Sequence, residues 1–217
     1  MNEKRPGPRP KAVAATAALA AILFIALFRL RRLGPLDFWT CLALTVTLVA
    51  ALSFAVDRSY RRRLREDLSS GLARKVALGI ASAAVLYAVF AAGRAAALAL
   101  FPFAAAGIDQ IYALKSGASA ARVVLLLGLV IGPGEELFWR GFFQERAAAG
   151  TTRASGFALT SLLYTSVHLA SGNPMLILAA AVSGLFWGWL YLRFRSPLLN
   201  IVSHSLWDLF VFILIPF

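Results

Sequence analysis

Gly132-Pro133-Gly134-Glu135-Glu136-Leu137-Phe138-Trp139-Arg140 is the stretch that decides the reading of this 217-residue chain. It sets two adjacent carboxylates and an arginine inside a segment otherwise apolar enough to cross a bilayer. An ionisable group at the centre of a spanning helix costs roughly 2.5–3.5 kcal/mol on insertion scales, so such groups mark function by default. On a helix, Glu136 and Arg140 stand at i and i+4 and neutralise each other on one face. Glu135 is turned about 100° away and has no such partner along its helix. Pro133 removes a backbone donor and its flanking glycines loosen the helix. A break is therefore expected at the level of Glu135, open to water or to a substrate backbone.

The composition around this stretch is that of a membrane protein. Hydrophobic residues make up 60% of the chain, in several runs near the 20 or so residues that span a bilayer. The fold class expected is all-α, a polytopic transmembrane bundle of about seven spans, within a range of six to eight. The formal charge of +12 fits Lys and Arg collected in cytoplasmic loops, which removes the need for a nucleic-acid partner. Cys41 is the single cysteine, so an intrachain disulfide and a cysteine metal cluster are both excluded.

Three parts follow from the patterning: a disordered basic tail at 1–11, N-terminal spans within 12–120, and a four-span core at 121–217. The spans expected are 12–28, 36–56, 76–101, 121–149, 154–170, 175–192 and 198–217. Gly150-Thr151-Thr152, Gly172-Asn173-Pro174 and Pro197 mark the turns of the core. With the N-terminus inside, cytoplasmic segments hold 16 basic residues against 5 outside, which sets an N-inside orientation. The charge-dense loop 58–75 reads as a segment held by anionic headgroups. Arg94 falls within a span, about two turns from Pro102, and is expected to snorkel to the surface. Gly184 and Gly188 have the spacing of close helix contact, expected within the bundle.

Both histidines of the chain lie in apolar helices. Tyr164 and His168 share one face, and Asn200, His204 and Asp208 form a polar line on another. Glu135 lies 14 residues before Ala149 and His168 lies 14 after Ala154, so a hairpin turning between them sets both about 21 Å from the turn. A glutamate, two histidines and an aspartate thus converge within the bilayer from three helices. Lone buried histidines are usually core residues; both histidines of a chain placed among carboxylates point to function.

The segments Glu135-Glu136-x-x-x-Arg140, Tyr164-x-x-x-His168 and His204-x-x-x-Asp208 resemble the three signature motifs of the CPBP family. That family comprises the CAAX prenyl endopeptidases and the bacterial CAAX-protease/bacteriocin-processing, or Abi, proteins. Its usual pattern is EExxxR, FxxxH and HxxxN or HxxxD, so Tyr164 stands where Phe is usual and adds a hydroxyl. The resemblance covers about residues 121–215 and implies intramembrane peptide-bond hydrolysis. On that basis Glu135 is the general base and His168 shares and orients the water. His204 donates to the oxyanion, Asp208 holds its ring or shares that task, and Glu136, Arg140, Tyr164 and Asn200 support them. No cofactor is expected. Zinc is the alternative, held by His168, His204, Glu135 and Asp208. The expected partners are a peptide or protein substrate, membrane-anchored or free, and the bilayer of a bacterial inner membrane. Ala- and Arg-rich composition speaks against a prenylated substrate. The other readings are a bacteriocin self-immunity or myxosortase-like sorting protease, a proton-coupled transporter, and a non-catalytic scaffold.

Overall fold

The computed structural model describes residues 10–216. The basic tail expected at 1–11 lies outside the described residues except for Pro10 and Lys11, which already belong to the first helix. Apart from one isolated bridge between Leu33 and Leu36, the described residues form only helices and turns. In chain order the long apolar elements are α1 (Pro10–Leu30), α2 (Phe38–Val56) and α4 (Leu72–Leu100). Between α2 and α4 lies the short basic helix α3 (Tyr60–Ser69), and after α4 comes α5 (Ala104–Ala113). A helical rod follows, made of α6 (Ala120–Leu126), α7 (Gly132–Glu136) and α8 (Glu145–Ala149). The chain ends with α9 (Arg153–His168), α10 (Pro174–Phe194) and α11 (Pro197–Leu209), the last extended by a π turn, Phe210–Leu214.

Five of these helices are long and apolar enough to cross a membrane: α1, α2, α4, α10 and α11 with its extension. The protein is an integral membrane, all-α bundle. The other two expected spans, 121–149 and 154–170, are present as the rod and as α9. They differ from the five because the rod carries Arg122, Glu135, Glu136 and Arg140 in its apolar stretch and α9 has only 16 residues. Local chemistry fixes the turns of the core. The Asn173 side chain accepts from Met175 N and Leu176 N, and Ser196 accepts from Leu199 N, each followed by a proline at the first helical position.

The rod does not break at Pro133, contrary to the expected opening. It widens instead, with π-helical turns at Leu127–Ile131 and Leu137–Gln144 on either side of α7. Gly132 N–H reaches back five residues to the Leu127 carbonyl. Pro133 has no N–H to offer, so a register change of this kind keeps the neighbouring carbonyls paired without exposing the backbone. The second π turn begins immediately after Glu136. Its first carbonyl, of Leu137, accepts the Tyr60 hydroxyl at 2.8 Å.

Two apolar cores flank this rod. One joins α1, α2, the rod and α9, through Phe24, Val46, Phe138, Trp139 and Phe142. The other joins α4, α10 and α11, through Leu86, Trp187, Leu199 and Trp207. α10 packs within the bundle as expected: a Cβ on Gly184 would lie 3.0 Å from the Tyr164 ring, and one on Gly188 2.9 Å from Ser161 Oγ. The polar residues of the rod, α9 and α11 lie where the two cores meet.

Candidate active site

Glu136 is the hub of this polar seam. Its side chain is fully buried, and its Oε1 accepts from Arg140 Nη1 at 2.8 Å, the i, i+4 pair expected from the sequence. The same oxygen accepts from His204 Nδ1–H on α11 at 2.8 Å. Its other oxygen accepts from Asn200 Nδ2 at 3.0 Å, and that amide also reaches the Trp187 carbonyl at 2.8 Å. One carboxylate thus ties the rod to α11 with three charged or polar donors, which is what makes its burial tolerable. The remaining Arg140 nitrogens, Nε and Nη2, have no hydrogen-bond partner. The guanidinium instead stands over the Tyr164 and Trp187 rings, at 4.8 Å and 5.7 Å from their centroids.

Glu135 faces the other way, as the helix geometry requires. Its Oε2 accepts from the Tyr164 hydroxyl on α9 at 3.0 Å. The hydroxyl that distinguishes Tyr164 from the usual Phe therefore touches the lone glutamate directly. His168, one turn further along α9, donates Nδ1–H to the Tyr164 carbonyl at 2.7 Å, which leaves Nε2 with a free lone pair in the neutral ring. Its ring packs between those of Phe28 and Tyr164, with centroids 4.4 Å and 4.9 Å away.

His204 has both nitrogens beside carboxylates. Nδ1 is committed to Glu136, and Nε2 lies 3.6 Å from Asp208 Oδ2, ion-pair range but too long for a direct hydrogen bond. Trp187 stacks flat on the imidazole, with centroids 3.6 Å apart and planes inclined by 21°, and so fixes the ring's tilt. Asp208 therefore points at His204.

Glu135, Tyr164, His168, His204 and Asp208 all line one cavity of about 410 Å³. Apart from Arg94 and Ser183 its remaining wall is apolar or aromatic, and α5 contributes Ile108, Ile111 and Tyr112. The lining residues Val89 and Leu100 on α4 and Leu178 and Val182 on α10 are exposed, so the cavity opens sideways between these two helices. Arg94 also lines the cavity. Its exposure is intermediate, and its Nε is buried without a hydrogen-bond partner.

As metal ligands, the same residues fit poorly. Among the described residues, no three His, Cys, Asp or Glu side chains are grouped as a metal site. Each histidine holds Nδ1 within the protein, one of them on Glu136, an arrangement that suits a water and a metal at Nε2 equally.

All eight residues singled out from the sequence belong to the seam. Sequence reasoning did not find Trp187, which seats His204, nor Tyr60, whose hydroxyl reaches the π turn beside Glu136. A tryptophan in an apolar helix and a tyrosine at the edge of a basic loop carry no local signal of these roles.

Residues 117–210 match the family model described as type II CAAX prenyl endopeptidase, Rce1-like. No curated protein and no solved structure gives a significant match. The matched residues include every member of the seam and agree with the CPBP motifs in order and spacing. Segment 117–210 of this chain is therefore similar to the Rce1-like family of type II CAAX prenyl endopeptidases.

Proposed function

We propose that this protein is an intramembrane endopeptidase that hydrolyses a peptide bond with a water activated by Glu135 and His168. The observation that carries the reading is the shared cavity wall. A carboxylate without a cation partner on its own helix, a histidine with a free Nε2 and a second histidine held by Glu136 all face one space. Glu135 and His168 Nε2 accept the two protons of the water's hydrogen bonds, which turns its oxygen lone pair towards the substrate carbonyl. Glu135 takes one proton as the oxygen adds to the carbonyl carbon. The developing oxyanion accepts from Nε2–H of protonated His204, whose Nδ1–H is held by Glu136 from behind and whose charge is balanced by Glu136 and Asp208. Glu135 then returns its proton to the leaving amine as the C–N bond breaks, giving an acid and an amine.

The mechanism assigned here is metal-independent, supported by the scattered donor set among the described residues. The setting is a bacterial inner membrane with the α3 end of the bundle cytoplasmic, supported by the basic residues at that end. The substrate is a membrane-associated peptide, and its sideways route into the cavity runs between α4 and α10.

The test compares membrane proteomes of cells carrying the wild type and Glu135→Gln. New protein termini that depend on Glu135 support the reading. Identical termini in both strains overturn it and leave a transporter or a scaffold. Cleavage by the purified protein should survive chelators; loss of activity restored by zinc would replace the metal-free mechanism.

A further inference from the structure

The inner face of α3 holds two partners at once. At its start the buried Tyr60 donates to the Leu137 carbonyl, one residue past Glu136, at 2.8 Å. Asp57, just before α3, accepts from Arg63 on that helix at 2.8 Å and from Arg146 at the end of the rod at 2.7 Å. Near the other end of α3, Asp67 accepts from Leu198 N at 2.9 Å and from Ser196 Oγ at 3.1 Å, at the start of α11. Lys75, 2.7 Å away, balances that carboxylate. Asn200 and His204 follow on α11 within two turns. α3 is therefore a brace between the rod and α11, the same two elements that the Glu136–His204 and Glu136–Asn200 bonds join.

The outer face of α3 has the opposite character. Arg58, Arg61, Arg65 and Arg74 are exposed and enter none of the ion pairs among the described residues. Within α3, Arg65 stands four residues after Arg61 and three after Arg62, and like charges at those spacings disfavour a helix. A helix of 10 residues is also too short to hold itself in water. Glu66, the acid on this face, reaches Arg62 only at 3.7 Å. Leu68 continues the stripe of Arg61 and Arg65, and Leu68 and Leu72 are 46% and 54% exposed. Because α3 joins two helices of membrane-spanning length, this stripe lies at the level of lipid headgroups. Unpaired arginines beside exposed leucines at that level match an anionic lipid better than a soluble acidic partner.

We propose that the outer face of α3 binds anionic phospholipid headgroups and that this binding seats the brace between the rod and α11. Headgroups relieve a repulsion that is strongest while the arginines are aligned on a helix, so they favour the seated brace over a released one. The consequence for the seam is cleavage that depends on anionic lipid. That consequence rests on the peptidase reading; lipid binding and its stabilising effect do not.

The test places the full chain in nanodiscs of phosphatidylcholine, alone or mixed with phosphatidylglycerol of the same acyl chains. Phosphatidylglycerol should be enriched among the lipids retained after detergent extraction, and should raise the melting temperature by about 3 °C or more. A peptide chosen from Glu135-dependent termini should be cut about five-fold faster in its presence. Combining Arg58→Gln, Arg61→Gln and Arg65→Gln removes no ion pair of the fold, so this variant should melt in phosphatidylcholine no lower than wild type. It should lose both the lipid enrichment and the melting gain. Tyr60→Phe should keep the enrichment and lose most of the gain in cleavage. Equal retention of the two lipids, or a melting gain that survives the triple variant, overturns the proposal. So does an equal gain from inorganic phosphate or poly-aspartate in phosphatidylcholine, which would make the partner a free anion or an acidic protein. Enrichment and melting gain without cleavage in either lipid support the surface and remove the peptidase reading; equal cleavage in both lipids does the reverse. Should the triple variant fail to fold, Arg61→Gln and Arg65→Gln singly should each lower the melting gain, and an unchanged gain in both overturns the proposal.

Discussion

Glu135 and Glu136 are neighbours in sequence with opposite surroundings: Glu136 holds Arg140, His204 and Asn200, whereas Glu135 meets only the Tyr164 hydroxyl and the cavity. The hundred-degree step of the helix separates a structural carboxylate from one free to act.

Substitutions should resolve these roles. Glu135→Gln should abolish cleavage and leave the melting temperature in detergent within a few degrees of wild type. Glu136→Gln strands Arg140 in a buried setting and should lose stability by about 3–5 kcal/mol. Glu136→Gln combined with Arg140→Met should recover only part of that loss, since His204 and Asn200 still lack their acceptor. Equal melting of the two single variants would contradict the assignment.

Tyr164→Phe removes only the hydroxyl that reaches Glu135, and the ring still fills its place against Trp139. A hydrogen bond to a charged group contributes about 1.5–3 kcal/mol, so kcat should fall by roughly ten- to a hundred-fold with KM unchanged. Steady-state kinetics on a cleaved peptide would check this, and an unaltered kcat would show that the hydroxyl does not position Glu135.

Gly141 leaves no room for a side chain, because a Cβ there would lie 1.9 Å from Tyr60 Oη. Gly141→Ala should push Tyr60 off the Leu137 carbonyl and destabilise by about 1–3 kcal/mol. Adding Tyr60→Ala should suppress much of the effect of the alanine, as a double-mutant cycle in thermal melts would read out. Strict additivity would mean that the two positions do not meet.

Asp57 caps α2 and receives Arg63, Ser59 and Arg146, which joins α3 to the end of the rod. Burial pushes its carboxyl up, but the hydrogen bonds and charges of these partners outweigh it and hold it below the usual carboxylate range. A carboxyl whose folded value is depressed stabilises the fold above its unfolded value of about 3.9 and loses that contribution as pH falls through the folded value. Asp57→Asn should therefore melt below wild type at neutral pH. The gap should start to close near pH 4 and narrow further in stronger acid. A gap independent of pH would place the effect outside the charge.

Reporters fused after Phe217 and within the 58–75 loop should fall on opposite sides of the membrane, the first exported and the second cytoplasmic. The same side for both would refute seven crossings.

The sequence by itself determined the helical class, the turns and the identity of the seam. Apolar runs of spanning length leave helices as the only way to satisfy the backbone in lipid, and carboxylates or histidines within them stand out against that background. Asn173 and Ser196 before prolines, and Glu136 four residues before Arg140, act through local geometry that spacing alone conveys. Tertiary structure alone decided what lies across the gaps between helices. The Glu136–His204 bond, the Trp187 ring on His204 and the Tyr164 hydroxyl on Glu135 depend on the rotation and height of separate helices, which periodicity does not specify. The same holds for Arg94, whose place on a cavity wall follows from how α4 packs on α11. Pro133 shows both sides of this division. Its missing N–H announces a disturbance in the helix, but only the packing around the rod decides that the chain widens into π turns instead of opening.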